Sequence, residues 1–141
     1  EQVEILTQSV AAMVKAALTQ AIQLFEEAGN TRRRVADLLD EGRYEPAMQD
    51  LGNYFAVWQQ VQNSMQLSAS SLGTDLGVLQ VEGRQVVELF EDIRSCLAAL
   101  KEAMANRDFV LVSDMLRYEL EGPSGAWQNL LRQLLDIADG K

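Results

Sequence analysis

Apolar residues recur every three or four positions along most of this chain, and that spacing restricts the fold more than any other feature. The most regular run, which alternates four and three positions apart, consists of Val86, Phe90, Ile93, Leu97, Leu100 and Met104. Residues with this spacing lie on one face of an α-helix, and an uninterrupted face of this kind needs a partner helix alongside. Because only two prolines and nine glycines interrupt the 141 residues, we predict an all-α fold of long helices.

The same spacing places a first helix at about 3–28, where Gly29 is a natural C-terminal stop. A short extra helix then begins at Asn30 or Thr31 and ends near Glu41. The alternative is a first helix that continues through the glycine with little break. The two alternatives differ in whether the chain turns at this point.

The stretch Phe109–Val112 is the place where a β-strand competes with a helix. Strict alternation fails there because Val110 and Leu111 are both apolar, and the chain has no other convincing strand to pair with. We therefore predict a helix capped by Asp108. The sequence GPSG at 122–125 then kinks the helix or restarts it.

A further long helix starts after Tyr44, tolerates Pro46 in its first turn and fades in the small, polar residues 68–77. Taken together, the segments predict one domain, residues 1–141. Its expected architecture is an up-and-down four-helix bundle with a short extra helix and a kinked last arm.

The distribution of charge argues against nucleic acid as a partner. The net charge is −9 and the acidic residues are spread along the chain, whereas phosphate binding needs a basic face.

No run approaches the roughly 20 apolar residues of a membrane span, and Glu1 and Glu4 stand where a signal peptide would carry basic residues. Cys96 is the only cysteine, which suits a reducing compartment. We expect a cytoplasmic protein with no nucleic acid or membrane partner.

The absence of histidine excludes most catalytic and metal chemistry. Histidine phosphorelay, the Glu-x-x-His carboxylate bundles, histidine-based zinc sites and Ser-His-Asp or Cys-His catalysis all require it. The glycine pairs in LGTDLG and GPSG lack the Lys-Ser or Lys-Thr of a phosphate-binding loop. We therefore predict no enzyme activity, no cofactor and no metal.

Five side chains are candidates for contact with a protein partner. Arg32, Arg33 and Arg34 form a basic cluster on an acidic chain. They either make surface ion pairs, which contribute at most about 1 kcal/mol each, or bind an acidic segment of a partner. Trp58 and Trp127 are either core anchors or lining residues of a groove for the partner.

Asp114 and Tyr118 are candidates for a buried polar cluster, because residues four apart share one face of a helix. A buried pair of this kind is structural more often than catalytic. With Arg117 and Glu119 beside them, the same residues would serve a ligand site or an enzyme site in the bundle interior.

Two stretches resemble a group of small uncharacterised bacterial helical-bundle proteins: LLDEGRYEPAMQDLGNYFAVWQ and ALKEAMANRDFVLVSDMLRYELEGPSGAW. In that group a phrase like DYVLLADLLEYEL, followed by Pro and Trp, ends the chain; here it corresponds to Asp108–Leu120, Pro123 and Trp127. Arg117 and two extra glycines depart from the pattern, which leaves the join between the last two helices open. The resemblance spans about residues 36–130 and implies a helical bundle without a known activity.

The overall plan is similar, more distantly, to that of the flagellar export chaperones, which are small and helical and lack catalytic residues. We therefore expect a protein-interaction module that binds a partner helix or self-associates through an apolar face. One alternative is a flagellar or secretion-type export chaperone, which would keep an aggregation-prone subunit soluble. The other is a small-ligand-binding bundle.

Overall fold

Helices dominate the structure, a computed structural model that describes the backbone of residues 2–140 and the side chains of residues 9–140. In chain order, the helices are α1 (Gln2–Asp40), α2 (Tyr44–Ser71), α3 (Val86–Ala105), α4 (Phe109–Asp114) and α5 (Glu121–Ala138). A π-helical turn, Met115–Glu119, joins α4 to α5, so that these two helices form one arm. The predicted all-α bundle is confirmed. No helix in this described part of the chain is both long enough and apolar enough to cross a membrane.

Four arms enclose one core. α1 and α2 form a long antiparallel hairpin, and the arm made of α4 and α5 packs along α1. α3 packs on α4 and α5, whereas its backbone makes at most slight contact with that of α2 along their described residues. The side of the bundle between α2 and α3 is therefore closed less tightly than the others.

The buried faces follow the spacing seen in the sequence. On α1 the buried apolar residues are Val14, Leu18, Ala21, Phe25, Ala28, Val35, Ala36 and Leu39. On α2 the large buried residues are Leu51, Tyr54, Trp58, Val61 and Met65. Because each large apolar side chain gains roughly 1.5–3 kcal/mol on full burial, packing of these faces stabilises the long helices far more than local propensity does.

α1 continues through Gly29 without a break, so the alternative of a continuous helix is confirmed and the separate short helix at residues 30–41 is wrong. A glycine inside a helix costs only about 1 kcal/mol, and the buried face continues on both sides of it, with Phe25 before and Val35 after. The arginines at 32–34 consequently lie inside α1, about two turns before its C-terminal end. They do not occupy a first turn, where the helix macrodipole would oppose them.

The chain between α2 and α3 contains a small β-hairpin that the sequence did not predict. Strands β1 (Gln80–Val81) and β2 (Arg84–Gln85) pair antiparallel after a 3-10 turn at Leu76–Val78. Glu82 and Gly83 have φ angles of 54° and 80°, as a type I′ turn requires at both central positions. Two residues per strand are too few to show the alternation by which a strand is recognised.

The fourth arm begins as a helix at Phe109–Val112, as predicted, and the carboxylate of Asp108 caps it by accepting a hydrogen bond from the Leu111 amide at 3.2 Å. The departure from regular α-helix lies one turn before GPSG, in the π-helical turn. There the Leu120 amide donates to the carbonyl of Met115, five residues back, at 3.1 Å. The GPSG sequence forms the first turn of α5, where a proline is tolerated.

Gly52 and Gly42 both have open space where a Cβ would be added. Because their backbone conformations differ, they should respond in opposite ways to substitution by alanine. Gly52 lies within α2 with nothing within 4 Å of an added Cβ, so Gly52→Ala should stabilise the fold by about 0.5–1 kcal/mol. Gly42, in the turn after α1, has a φ of 76°, so Gly42→Ala should destabilise it by about 1 kcal/mol or more. Urea unfolding measures both free energies. Shifts in the same direction would contradict the backbone conformations described here.

Candidate functional site

An open groove of about 580 Å³ lies between α2 and α3, and we call it the α2–α3 groove. Its large apolar lining residues are Phe55, Trp58, Val87, Phe90, Ile93, Leu97 and Trp127. Its polar lining residues are Gln59, Gln62, Glu91, Arg94 and Lys101. A concave apolar surface with a polar edge is the form of a site that accepts a helix of another protein.

The groove exists because α3 presents more apolar surface than this chain covers. Val86, Ile93 and Leu100 of the regular run are buried, whereas Phe90 and Leu97 are only half-buried and line the groove. The backbone of α2 makes at most slight contact with α3 along their described residues. The protein's own arms therefore cover only part of the apolar run of α3. The part that faces the groove stays half-exposed.

Trp58 and Trp127 form the floor of the groove. Their rings meet edge to face, with centroids 4.6 Å apart and an interplanar angle of 79°, and Phe90 contacts Trp127 at a centroid distance of 5.2 Å. Both indoles are almost completely buried. The two tryptophans are therefore core anchors that also line the groove, and they are not exposed surface contacts.

The edge of the groove carries a small excess of positive charge on an acidic protein. Arg94 forms an ion pair with Glu91. Lys101 Nζ lies 5.0 Å from the centroid of the Phe55 ring, a cation–π geometry that keeps the ammonium beside the apolar lining. An approaching segment with an acidic side chain would meet Lys101 at this edge.

The three arginines at 32–34 do not form one surface cluster. Arg32 is 6% exposed and donates a hydrogen bond from Nη1 to the carbonyl of Leu116. Arg33 is exposed and donates to Asn30, and Arg34 is exposed and pairs with the carboxylate of Asp50. The prediction of a shared partner-binding role is therefore wrong for Arg32, which is a core residue.

The hydrogen bond of Arg32 is explained by the π-helical turn. In a regular α-helix the Leu116 carbonyl would accept from the Leu120 amide, but that amide donates to Met115 instead. The displaced carbonyl is a buried acceptor that needs a new donor. The guanidinium of Arg32 provides it across 84 residues of sequence.

Asp114 and Tyr118 do not form a buried polar cluster, so that prediction is wrong. Both are exposed, Tyr118 to 71%, because the face of this arm that meets α1 carries Val112, Ser113 and Leu116 instead. A spacing of four residues shows that Asp114 and Tyr118 share a helix face, but it does not show which face of this arm packs against α1.

The polar network that does join this arm to α1 involves Ser113 and Arg117, the residues immediately before Asp114 and Tyr118. Arg117 donates to Asp37 at 2.8 Å and to Asp40 at 2.6 Å, and the Ser113 hydroxyl donates to Asp40 at 2.9 Å. The hydrogen bonds from Arg117 and then from Ser113 lower the pKa of Asp40 below its ordinary value. These groups are partly exposed, so the network fixes geometry and contributes little to stability.

The described side chains offer few reactive groups. Burial raises the pKa of the Cys96 thiol, and the charges of Glu119 and Asp92 raise it further, so the thiol is protonated at neutral pH. Among the described residues no group of three or more His, Cys, Asp and Glu side chains is arranged to hold a metal ion.

Comparison with known proteins identifies a family whose description states no function. A family model described as "Domain of unknown function (DUF8042)" matches residues 16–130. No curated protein and no solved structure matches the chain. The matched segment contains both walls of the α2–α3 groove and Trp127.

Proposed function

The chain belongs to the family described as a domain of unknown function (DUF8042), and we propose that it is a non-catalytic protein-interaction module. In this proposal the α2–α3 groove binds one amphipathic helix of a partner protein. The observation that carries it is the apolar flank of α3, which the other arms of the described chain cover only in part. A reducing, cytoplasmic location suits its single cysteine. That the family is bacterial, with a shared motif at Asp108–Leu120, stays a prediction.

The dimensions of the groove suit a short helix. Lining residues of α3 run from Val87 to Lys101, about 21 Å along the helix axis at 1.5 Å per residue. A partner helix of about four turns would cover that length and supply apolar residues at three- and four-residue intervals. It would complete the packing of Phe90 and Leu97 and could place an acidic side chain beside Lys101.

The floor of the groove is already ordered before anything binds. Trp58 is held by Phe25, with centroids 4.7 Å apart, as well as by Trp127. Rigid aromatic surfaces lose little conformational entropy on association. Apolar anchors of the partner would therefore dock on a fixed surface.

Val87 gives the direct test, because it lines the groove and is 56% exposed, so that a substitution there should leave the fold intact. We expect Val87→Asp to weaken binding of the partner helix at least about tenfold, or 1.4 kcal/mol. The substitution removes apolar burial of roughly 1.5 kcal/mol and places a carboxylate against an apolar surface. Val110→Asp is the matched control, since Val110 is 76% exposed on α4 and lies outside the groove.

The partner is to be identified by a photoreactive benzoylphenylalanine introduced at position 87, with position 110 as the control. A peptide of the crosslinked segment is then titrated against the wild type and both aspartate variants by calorimetry. Equal crosslinking from both positions, or unchanged affinity of Val87→Asp, would rule out the groove as the binding site. If the crosslinked species is a second copy of the chain, sedimentation velocity should show that Val87→Asp converts a dimer to a monomer.

An export chaperone is a narrower form of the same proposal, supported by the helical plan and by a groove suited to an aggregation-prone helix. Here the partner would be one subunit that precipitates when it is produced alone. Co-production with this chain should keep that subunit in solution, and co-production with Val87→Asp should not.

A further inference from the structure

Two neighbouring cavities, of about 310 Å³ and 200 Å³, lie on the outside of the hairpin formed by α1 and α2. Residues of these two helices line both cavities, which have Ala17 in common. They therefore form one shallow channel along the hairpin, and it shares no lining residue with the α2–α3 groove. We call the surface along this channel the α1–α2 face. Its exposed lining side chains include Val10, Met13, Gln20, Gln60, Asn63 and Leu67.

The α1–α2 face is built from a part of the chain that is almost free of charge. Residues 51–74 contain no Asp, Glu, Lys or Arg, and residues 9–25 contain only Lys15, although charged residues make up 23% of the chain. Lys15 lines neither cavity, and its ammonium forms an ion pair of 2.9 Å with Asp139 at the C-terminal end of α5. Depletion of charged residues is the compositional mark of the centre of a protein interface.

Exposed apolar side chains gather at one end of the same face. Met13 is 72% exposed, Leu67 69% and Val10 39%, and all three line the smaller cavity. Single exposed apolar residues are ordinary. Three at one cavity form a patch, and burying such a patch against another protein surface is favourable.

The absence of charge decides which kind of partner fits the α1–α2 face. A charged surface would lose its hydration here without gaining an opposite charge. Because the chain carries a net charge of −9, two copies repel one another least when their uncharged faces meet. The amides of Gln20, Gln60 and Asn63 suit such a pair, since an amide can both donate to and accept from the same face of another copy.

The size of the face fits a weak association. The channel extends from Val10 to Leu24 along α1, about 21 Å at 1.5 Å per residue. Two helices side by side, each about 10 Å wide, give a flat footprint of roughly 400 Å² on each copy, or roughly 800 Å² for a pair. Stable interfaces bury about 1,200–2,000 Å². A contact of this size forms and dissociates with the protein concentration.

We propose that the α1–α2 face is the contact surface of a weak, two-fold symmetric dimer of this chain. The two-fold axis runs along the hairpin, so that the apolar ends of the two faces meet and the amide ends meet. This axis places α1 of one copy over α2 of the other, with Met13 beside the second copy's Leu67. The dimer does not depend on the function proposed for the α2–α3 groove.

Sedimentation equilibrium of the unmodified chain, at concentrations from about 1 µM to about 1 mM, measures the dimer directly. We expect Leu67→Glu to raise the dissociation constant at least about tenfold, because it places a carboxylate against an apolar surface without a counter-charge. Leu67 is 69% exposed, so this variant should keep the fold, which circular dichroism checks. Val110→Glu is the matched control, since Val110 is 76% exposed on α4 and lies outside the channel.

A mixture of two variants tests the arrangement of the copies. Met13→Lys should weaken its own dimer as Leu67→Glu does. In the mixture, one glutamate meets one lysine and the other Met13–Leu67 contact is intact, so the two variants should associate at least about tenfold more tightly with each other than with themselves. Val87→Asp, in the groove, should leave the dimer unchanged.

Three results would overturn the proposal. The first is a chain that stays monomeric over the whole concentration range, and the second is a dimer that tolerates Leu67→Glu or is lost in Val87→Asp. The third is a mixture that associates no more tightly than either variant alone. Because Val87→Asp reports on the groove and Leu67→Glu on the α1–α2 face, failure of one proposal is distinguished from failure of the other.

Discussion

Trp127→Ala should remove a large share of the stability of the fold. We expect it to lower the free energy of unfolding by about 3–5 kcal/mol, the usual cost of truncating a large buried aromatic residue, out of a total of about 5–15 kcal/mol for a domain. Trp127 is fully buried on α5 and touches three other arms. Its ring contacts Phe25 of α1 at 6.3 Å, Trp58 of α2 at 4.6 Å and Phe90 of α3 at 5.2 Å between centroids.

The measurement is guanidinium unfolding followed by the helical circular dichroism signal, because the substitution also removes one of the two fluorescent indoles. Trp127→Phe is the control: it keeps an aromatic ring and should cost clearly less than the alanine variant. A loss of less than about 1 kcal/mol in Trp127→Ala would mean that the four arms are not joined through this aromatic cluster.

Arg32→Met should destabilise the protein by about 1–3 kcal/mol, the cost of leaving a buried acceptor without a donor. Methionine can fill much of the volume of the arginine stem, so the chief loss is the hydrogen bond to the Leu116 carbonyl. Leu120 cannot replace that donor, because its amide is bound to Met115. The size of the effect therefore reports on the π-helical turn as well as on Arg32.

Arg33→Met is the matched control for this second prediction. Arg33 is exposed and its hydrogen bond goes to a neighbour on its own helix, so its replacement should change the free energy of unfolding by less than about 0.5 kcal/mol. Both variants are compared with the wild type by urea unfolding. A more stable Arg32→Met would show that the buried charge costs more than its hydrogen bond returns.

The helical periodicity predicted most of the fold because it depends on each segment's own residues. It placed the buried residues Val86, Ile93 and Leu100 on one face of α3 and correctly assigned Phe109–Val112 to a helix. The end of α1 was misplaced because Gly29 is a local signal, and packing on both sides of it outweighs that signal. Arg32 occupies a position on the buried face between Ala28 and Val35, but a charged side chain is not expected there from hydropathy.

The site depends on relations between distant segments, which the sequence pattern does not express. Trp58 and Trp127 were identified as lining residues of a groove or as core anchors, and they are both. The groove itself arises from the separation of α2 and α3, which no local spacing encodes. Tyr54 and Arg32 line one cavity only after α1 and α2 pack together, so the pattern of either helix alone does not show it.

The position of the two indoles makes the protein its own optical probe. The chain has two tryptophans, and both line the α2–α3 groove. All of its indole emission therefore originates at the buried floor of the groove in which a partner would dock. A change in emission wavelength on docking needs no attached dye, and the unmodified chain can be titrated directly.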